Sequence, residues 1–162
     1  MTGSDYGTHA GGNITVSGES TSIVSKGNAF AGLYALGAIT FESGNVDAEG
    51  SFNYGIYGGQ GITFNGGRVH SKATGLAGNA IVSSGNITIA DSQEIQKPVG
   101  GSIAELGGMR YIADAGRYAK EAEIGPKPAD YNVTIDETEH GTVTASPSTA
   151  KKGETVTLIV TP

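Results

Sequence analysis

The chain of 162 residues contains no cysteine and no tryptophan, so neither a disulfide nor a thiolate metal site is open to it. Basic residues are scarce. Lys and Arg number 10 against 16 Asp and Glu, a net charge of -6, and they are scattered singly, which argues against nucleic acid as a partner. No apolar run reaches the length of a membrane-spanning helix, and no membrane insertion is expected. His9, His70 and His140 lie far apart without a His-Glu-x-x-His or similar spacing, so no metal and no cofactor is expected. The opening Met1-Thr2-Gly3-Ser4 leads directly into polar sequence rather than into a signal peptide, and an excised piece of a larger protein is therefore the expectation.

What is abundant is glycine, 27 residues, together with many Thr and Ser, a balance that favours short strands and tight turns. Within it one phrase returns four times: Asn13-Ile14-Thr15-Val16, Ala38-Ile39-Thr40-Phe41, Gly61-Ile62-Thr63-Phe64 and Asn86-Ile87-Thr88-Ile89, at steps of 25, 23 and 25 residues. Ile23, Val46 and Val69 recur in a second column, and Leu33, Ile56 and Ile81 in a third. Three short apolar anchors per repeat describe three strands per turn of a coil. The fold expected is an all-β, right-handed parallel β-helix of about three and a half coils.

Because successive side chains of a strand face opposite ways, alternation separates core from surface. Ile14/Val16, Ile39/Phe41, Ile62/Phe64 and Ile87/Ile89 point inward, leaving Thr15, Thr40, Thr63 and Thr88 as an outward column. Ile23/Ser25, Val46/Ala48 and Val69/Ser71 point inward on the second strand, as do Leu33/Ala35, Ile56/Gly58 and Ile81/Ser83 on the third. Gly27, Gly50, Gly44-Asn45, Gly66-Gly67 and Gly85-Asn86 fall at corners, where positive φ is expected. Residues 1–10 read as the frayed edge of a preceding coil, with Gly7 over Gly32 and Ala10 over Ala35. Two extra residues in Thr74-Gly75-Leu76-Ala77-Gly78 form a loop between the second and third strands of one coil.

After Ile89 the register decays. Gln96-Lys97-Pro98-Val99-Gly100-Gly101 reads as an exit turn, and residues 109–124 as two strands around Asp114-Ala115-Gly116, a hairpin cap over the solenoid end. The competing reading is a helix from Ile112 to Ile124, since Ala, Glu and Lys form helices well. The expected domains are a capped β-helix over 1–124, a Pro-rich linker over 125–130, and a β-rich remainder over 131–162. In that remainder Tyr131-Val133-Ile135, Val143-Ala145 and Val156-Leu158-Val160 alternate as strands, and Asp136-Glu137-Thr138-Glu139 before His140-Gly141 reads as a hairpin turn.

The phrases Gly32-Leu33-Tyr34-Ala35-Leu36-Gly37-Ala38-Ile39-Thr40-Phe41 and Gly55-Ile56-Tyr57-Gly58-Gly59-Gln60-Gly61-Ile62-Thr63-Phe64 resemble the repeat of β-helical carbohydrate-binding domains of bacterial secreted proteins, over roughly residues 7–95. That family commonly carries an Asp just before the Gly-Ile pair, associated with calcium and acidic polysaccharide. This chain has Ala31, Tyr54 and Asn79 there, so neither is carried over. Residues 131–162, through Gly141-Thr142-Val143-Thr144-Ala145-Ser146-Pro147 and Gly153-Glu154-Thr155-Val156-Thr157-Leu158, are similar to the first half of an internalin B-repeat-like surface module. The resemblances imply a bacterial cell-surface or secreted, extracellular protein, and a module that stops before its second half leaves an edge open to strand pairing.

The leading candidate site is aromatic. Tyr34 and Tyr57 should point outward from one column about 4.8 Å apart, with Tyr54 and Asn53 near enough to add hydrogen bonds to a polysaccharide or a host or cell-wall glycan. The competing reading of the same tyrosines is ordinary ladder packing. Phe30 and Phe52 read as apolar corner plugs, and the Thr column as structural. The sequons Asn13-Ile14-Thr15, Asn86-Ile87-Thr88 and Asn132-Val133-Thr134 arise from turn Asn meeting strand Thr. Glu42, Asp47 and Glu49 on one coil, with Arg68 or Lys72, could serve a polysaccharide lyase, but a solvated face is the simpler account. The expected function is therefore non-catalytic, not an enzyme: a β-solenoid binding a glycan. The alternatives are an adhesin spacer without ligand, and third, a lyase remnant.

Overall fold

The computed structural model describes residues 2, 3, 5–136 and 141–161. The chain divides into two units, residues 1–126 and 127–162. The first contains β1 (Thr2–Gly3), β2 (Tyr6–Ala10), β3 (Ile14–Val16), β4 (Ser22–Gly27), β5 (Ala31–Ala35), β6 (Ala38–Phe41), β7 (Asn45–Gly50), β8 (Tyr54–Gly58), β9 (Gly61–Phe64), β10 (Arg68–Ala73), β11 (Asn79–Ser83), β12 (Asn86–Ile89), β13 (Gln93–Lys97), β14 (Ser102–Leu106), β15 (Met109–Asp114), β16 (Arg117–Tyr118) and β17 (Glu121–Pro126). The second contains β18 (Asp130–Asn132), β19 (Thr142–Ser146), β20 (Thr149–Lys151) and β21 (Thr157–Thr161).

The first unit is a parallel β-solenoid with three strands per coil. Each strand pairs in parallel with its equivalent one coil away, giving the sheet β12-β9-β6-β3, the run β11-β8-β5-β2 and the run β1-β4-β7-β10. The repeat columns seen in the sequence are the registers of these ladders: Ile14, Ile39, Ile62 and Ile87 lie in line, as do Val16, Phe41, Phe64 and Ile89. The Phe41 and Phe64 rings stack at 5.1 Å in the core. Residues 6–10 form a full strand, with Ala10 over Ala35 as the sequence implied.

Between two of the sheets the interior is too narrow for large side chains. Ser25, Ala48 and Ser71 are buried in line, facing Gly7, Gly32 and Gly55 on the neighbouring sheet. Ser25 Oγ donates to Gly32 O at 2.8 Å and Ser71 Oγ to Ala80 O at 2.6 Å, so these buried hydroxyls are satisfied while tying one sheet to the next. At the corners, Gly44 (φ 90°) and Gly67 (φ 78°) adopt the left-handed conformation expected of them. Gly27, Gly50 and Gly85 do not. There the chain crosses so closely over the next segment that a Cβ would strike a backbone carbonyl, as at Gly50 against Tyr54 O, and it is space rather than φ that requires glycine.

The cap is built of strands, not the alternative helix, and it does more than cover the end. β15 pairs antiparallel with β11, and β17 inserts antiparallel between β10 and β13, joining both. The last strand of the fourth coil, β13, is therefore separated from β10 and the gap filled by a returning strand, while β11 and β12 still pair with the third coil. β17 keeps the interior columns although it runs backwards: Ile124 lies between Val69 and Ile95, extending the Ile23, Val46, Val69 line, and Ala122 follows Ser71. Ile112 of β15 joins the same core. On the outer face, Glu123 of β17 is buried and ion-paired with Arg68. Lys97 and His70 hydrogen-bond Glu121 at 3.1 Å each, holding its carboxyl below the ordinary range. The expected hairpin turn at Asp114-Ala115-Gly116 is present, with Ala115 and Gly116 both at positive φ, and a further hairpin, β14 with β15, precedes it. Gly125 and Pro126 belong to β17, so the link between units starts at Lys127 rather than at Gly125.

In the second unit β18 pairs with β20 and β19 with β21, all antiparallel. β18 stops at Asn132, before Ile135, and Thr149–Lys151 adds a strand the alternation had not suggested. Of the acidic turn expected from Asp136 to Gly141, residues 137–140, including His140, lie outside the described residues.

Two substitutions test this packing. A Cβ on Gly32 would lie 2.6 Å from Glu49 N and 2.8 Å from Gly55 O, both backbone, so Gly32→Ala is expected to cost about 1–3 kcal/mol in chemical denaturation, whereas Gly11→Ala, with nothing within 4 Å, leaves the midpoint unchanged. Ile124→Ala opens a cavity where the inserted strand meets two coils, with an expected loss of roughly 2–5 kcal/mol and faster hydrogen exchange in β13 and β10.

Candidate functional site

The outer face of the sheet formed by β2, β5, β8, β11 and β15 carries nearly all the aromatic surface of the solenoid. Tyr34 and Tyr57, paired across β5 and β8, stand outward with ring centroids 4.8 Å apart and planes 12° from parallel. Two coplanar rings cannot lie side by side at that spacing without overlapping, so the pair is tilted like shingles, each ring covering part of one face of the next and leaving the rest to solvent. His9 stacks on Tyr34 from the first coil at 5.4 Å, continuing the column.

A second column runs beside it. Tyr6, Ala31, Tyr54 and Asn79 are in register on β2, β5, β8 and β11. Ala31 offers no ring, but Phe30 just before it does, with its ring 5.3 Å from Tyr6 and 5.6 Å from Tyr54. Tyr54 and Tyr57 close the two columns together at 5.1 Å. The result is a continuous patch of Tyr6, His9, Phe30, Tyr34, Tyr54 and Tyr57, each ring partly exposed. Burial and the neighbouring phenols Tyr57, Tyr6 and Tyr54 push the Tyr34 hydroxyl above its ordinary range; burial, Tyr57 and Tyr118 do the same for Tyr54.

Of the four residues singled out from sequence, Tyr34, Tyr57 and Tyr54 come together here. Asn53 is adjacent, its backbone held by an N–H donated to Phe30 O at 3.1 Å and a carbonyl that accepts from Asn79 N at 2.8 Å, in the turn that leads into β8. Tyr57 Oη is 2.7 Å from Ser84 Oγ, which anchors the ring's outer end. Phe30 belongs to the aromatic face rather than plugging a corner. Phe52 is no plug either; the 51–53 turn carries it outside the coil, where it is 63% exposed. The sequence signal for Tyr6 and His9 was the first coil's own repeat, hidden by its having no Ile-Thr phrase before it.

The other outer faces are differently made. Thr15, Thr40, Thr63 and Thr88 form a single in-register column on the third sheet. Glu42, Asp47 and Glu49 are each tied to a separate partner one coil away, Asn65, His70 and Lys26 respectively. Among the described residues no group of three or more His, Asp or Glu side chains stands close enough to hold a metal ion, and no helix is long and apolar enough to cross a membrane. Comparison with protein-family models, curated proteins and solved structures gave no match.

The raised phenols give a direct check on the patch. With folded values above the unfolded 10.0, Tyr34 and Tyr54 favour the folded state fully below pH 10, and that contribution is lost as pH rises through the folded values. Ultraviolet titration of the folded protein is expected to show part of the phenolate signal developing late, a component that shrinks in Tyr34→Phe/Tyr54→Phe and disappears in denaturant.

Proposed function

We propose that the solenoid is a non-catalytic glycan-binding module, and that its platform is the aromatic face built by Tyr34, Tyr57, Tyr54 and Phe30. The observation that carries this reading is the continuity of six half-exposed rings on one sheet of a molecule whose other outer faces carry threonine or paired charges. Sugar rings present an apolar face of C–H groups and a polar rim of hydroxyls. Tilted tyrosines offer the complement: part of a π-face flanked by phenolic hydroxyls that donate and accept. The ladder fixes each ring through its neighbours, so a polysaccharide or cell-surface glycan laid along the solenoid axis orders little that is not already ordered. Such a module suits a protein displayed outside a bacterial cell, with the second unit as part of a surface stalk whose exposed β21 edge can pair with a further strand.

The test is a glycan array with the purified chain, followed by calorimetry on the best ligand. Tyr34→Ala/Tyr57→Ala is expected to weaken binding by at least roughly tenfold while leaving the β-rich circular dichroism intact, since neither ring belongs to the main interior cluster. A folded protein that binds no glycan would leave the rings as ladder packing and the solenoid as a ligand-free spacer.

A further inference from the structure

The aromatic face does not simply end at β8. Beside Tyr54 and Asn79 a cleft of about 500 Å³ opens between the 74–78 loop and the capping strands. Its walls are apolar, from Leu76, Leu106, Tyr111 and Tyr118, with the Tyr111 and Tyr118 rings 4.1 Å apart. Asn79 lines the cleft and pairs in register with Tyr54, so cleft and platform adjoin.

Three features of this cleft are unfinished. Leu76 is 97% exposed at the tip of the loop. Arg117 and Lys120 line the cleft as exposed cations without an ion pair among the described residues, as Lys72 is on β10. Asn79 Oδ1 is buried with no hydrogen-bond partner. The amide cannot simply turn over to relieve this, because its Nδ2 donates at 3.4 Å to Ala77 O, which can only accept. An acceptor without a donor lies beneath the loop that walls the cleft, and the cleft itself brings together two cations and uncovered apolar surface.

We propose that the cleft is a subsite for the terminal residue of the bound glycan, and that this residue is an N-acetylated sugar acid. Its carboxylate faces Arg117 and Lys120, its acetamido N–H donates to Asn79 Oδ1, and its acetyl methyl covers Leu76 and Tyr118. A plain hexose brings neither a carboxylate for Arg117 and Lys120 nor a methyl for Leu76. The acetamido group brings one donor and one methyl together. Because Asn79 folds back under its own loop, the loop yields as the donor enters, and residues 76–79 register the binding.

This subsite rests on the glycan reading above, and the experiment separates the two. ¹H–¹⁵N spectra of the full chain are recorded during titration with three monosaccharides: N-acetylneuraminic acid, N-acetylglucosamine and glucuronic acid. The first is expected to shift the signals of residues 76–79 and the Asn79 side-chain amide, and to bind roughly tenfold more tightly than either control. Asn79→Ala should bring it down to the level of glucuronic acid, and Arg117→Gln/Lys120→Gln, at exposed unpaired positions, to that of N-acetylglucosamine. Equal affinity for the three sugars, or no shift at 76–79, overturns the subsite, while glycan binding that depends on Tyr34 and Tyr57 would still stand.

Discussion

Everything in the first unit depends on one constraint: no coil can bury its own apolar face, so each must find an identical face on its neighbour. The solution is in-register stacking of like on like, isoleucine over isoleucine and phenylalanine over phenylalanine, through parallel ladders whose hydrogen bonds fix the register. The constraint acts on the outside as well. A register that stacks core residues necessarily stacks the residues between them, and so the surface of the solenoid is made of columns whether or not each column has a use. Threonine, paired charge and tyrosine are three contents of the same geometric device.

The ends are where such a device fails, since the last coil has no neighbour. Here the failure is met by insertion. β17 returns antiparallel into the gap between β10 and β13, and supplies Ile124 and Ala122 at the column positions the next coil would have filled. Reversing a strand keeps its inward and outward sides, because side-chain alternation has a period of two in either direction. What changes is the hydrogen-bond pattern, and ion pairs of Glu123 with Arg68 and Glu121 with Lys97 tie the reversed strand to its two neighbours.

The ladders were legible in the sequence because their signal is periodic: Ile39, Ile62 and Ile87 announce themselves by spacing, and once the inward set is fixed, Tyr34 and Tyr57 must face out together. The insertion of β17 was not legible. Its partners lie 51 residues apart at His70 and Glu121, in opposite directions, so no step length records the pairing. Gly50 shows a related limit, since sequence marks a corner but cannot say whether glycine is there for its φ or for the carbonyl of Tyr54 close against it. Phe30 falls outside the alternating register altogether, and only the missing ring at Ala31 explains its place.

The unfinished cleft follows from the same logic of ends. Along the middle coils each outward residue is completed by its equivalents above and below, as Tyr34 is by His9 and Tyr57. Asn79 has Tyr54 on one side only, and where a further equivalent would stand, the chain has left the repeat for the capping strands. The cap restores the core columns, because exposed isoleucine is costly, but nothing compels it to restore the outer ones. The acceptor without a donor therefore lies where periodic and aperiodic structure meet. In a repeat protein that junction is a place where a recognition site with depth can arise, since the irregular chain there breaks the even surface of the ladder.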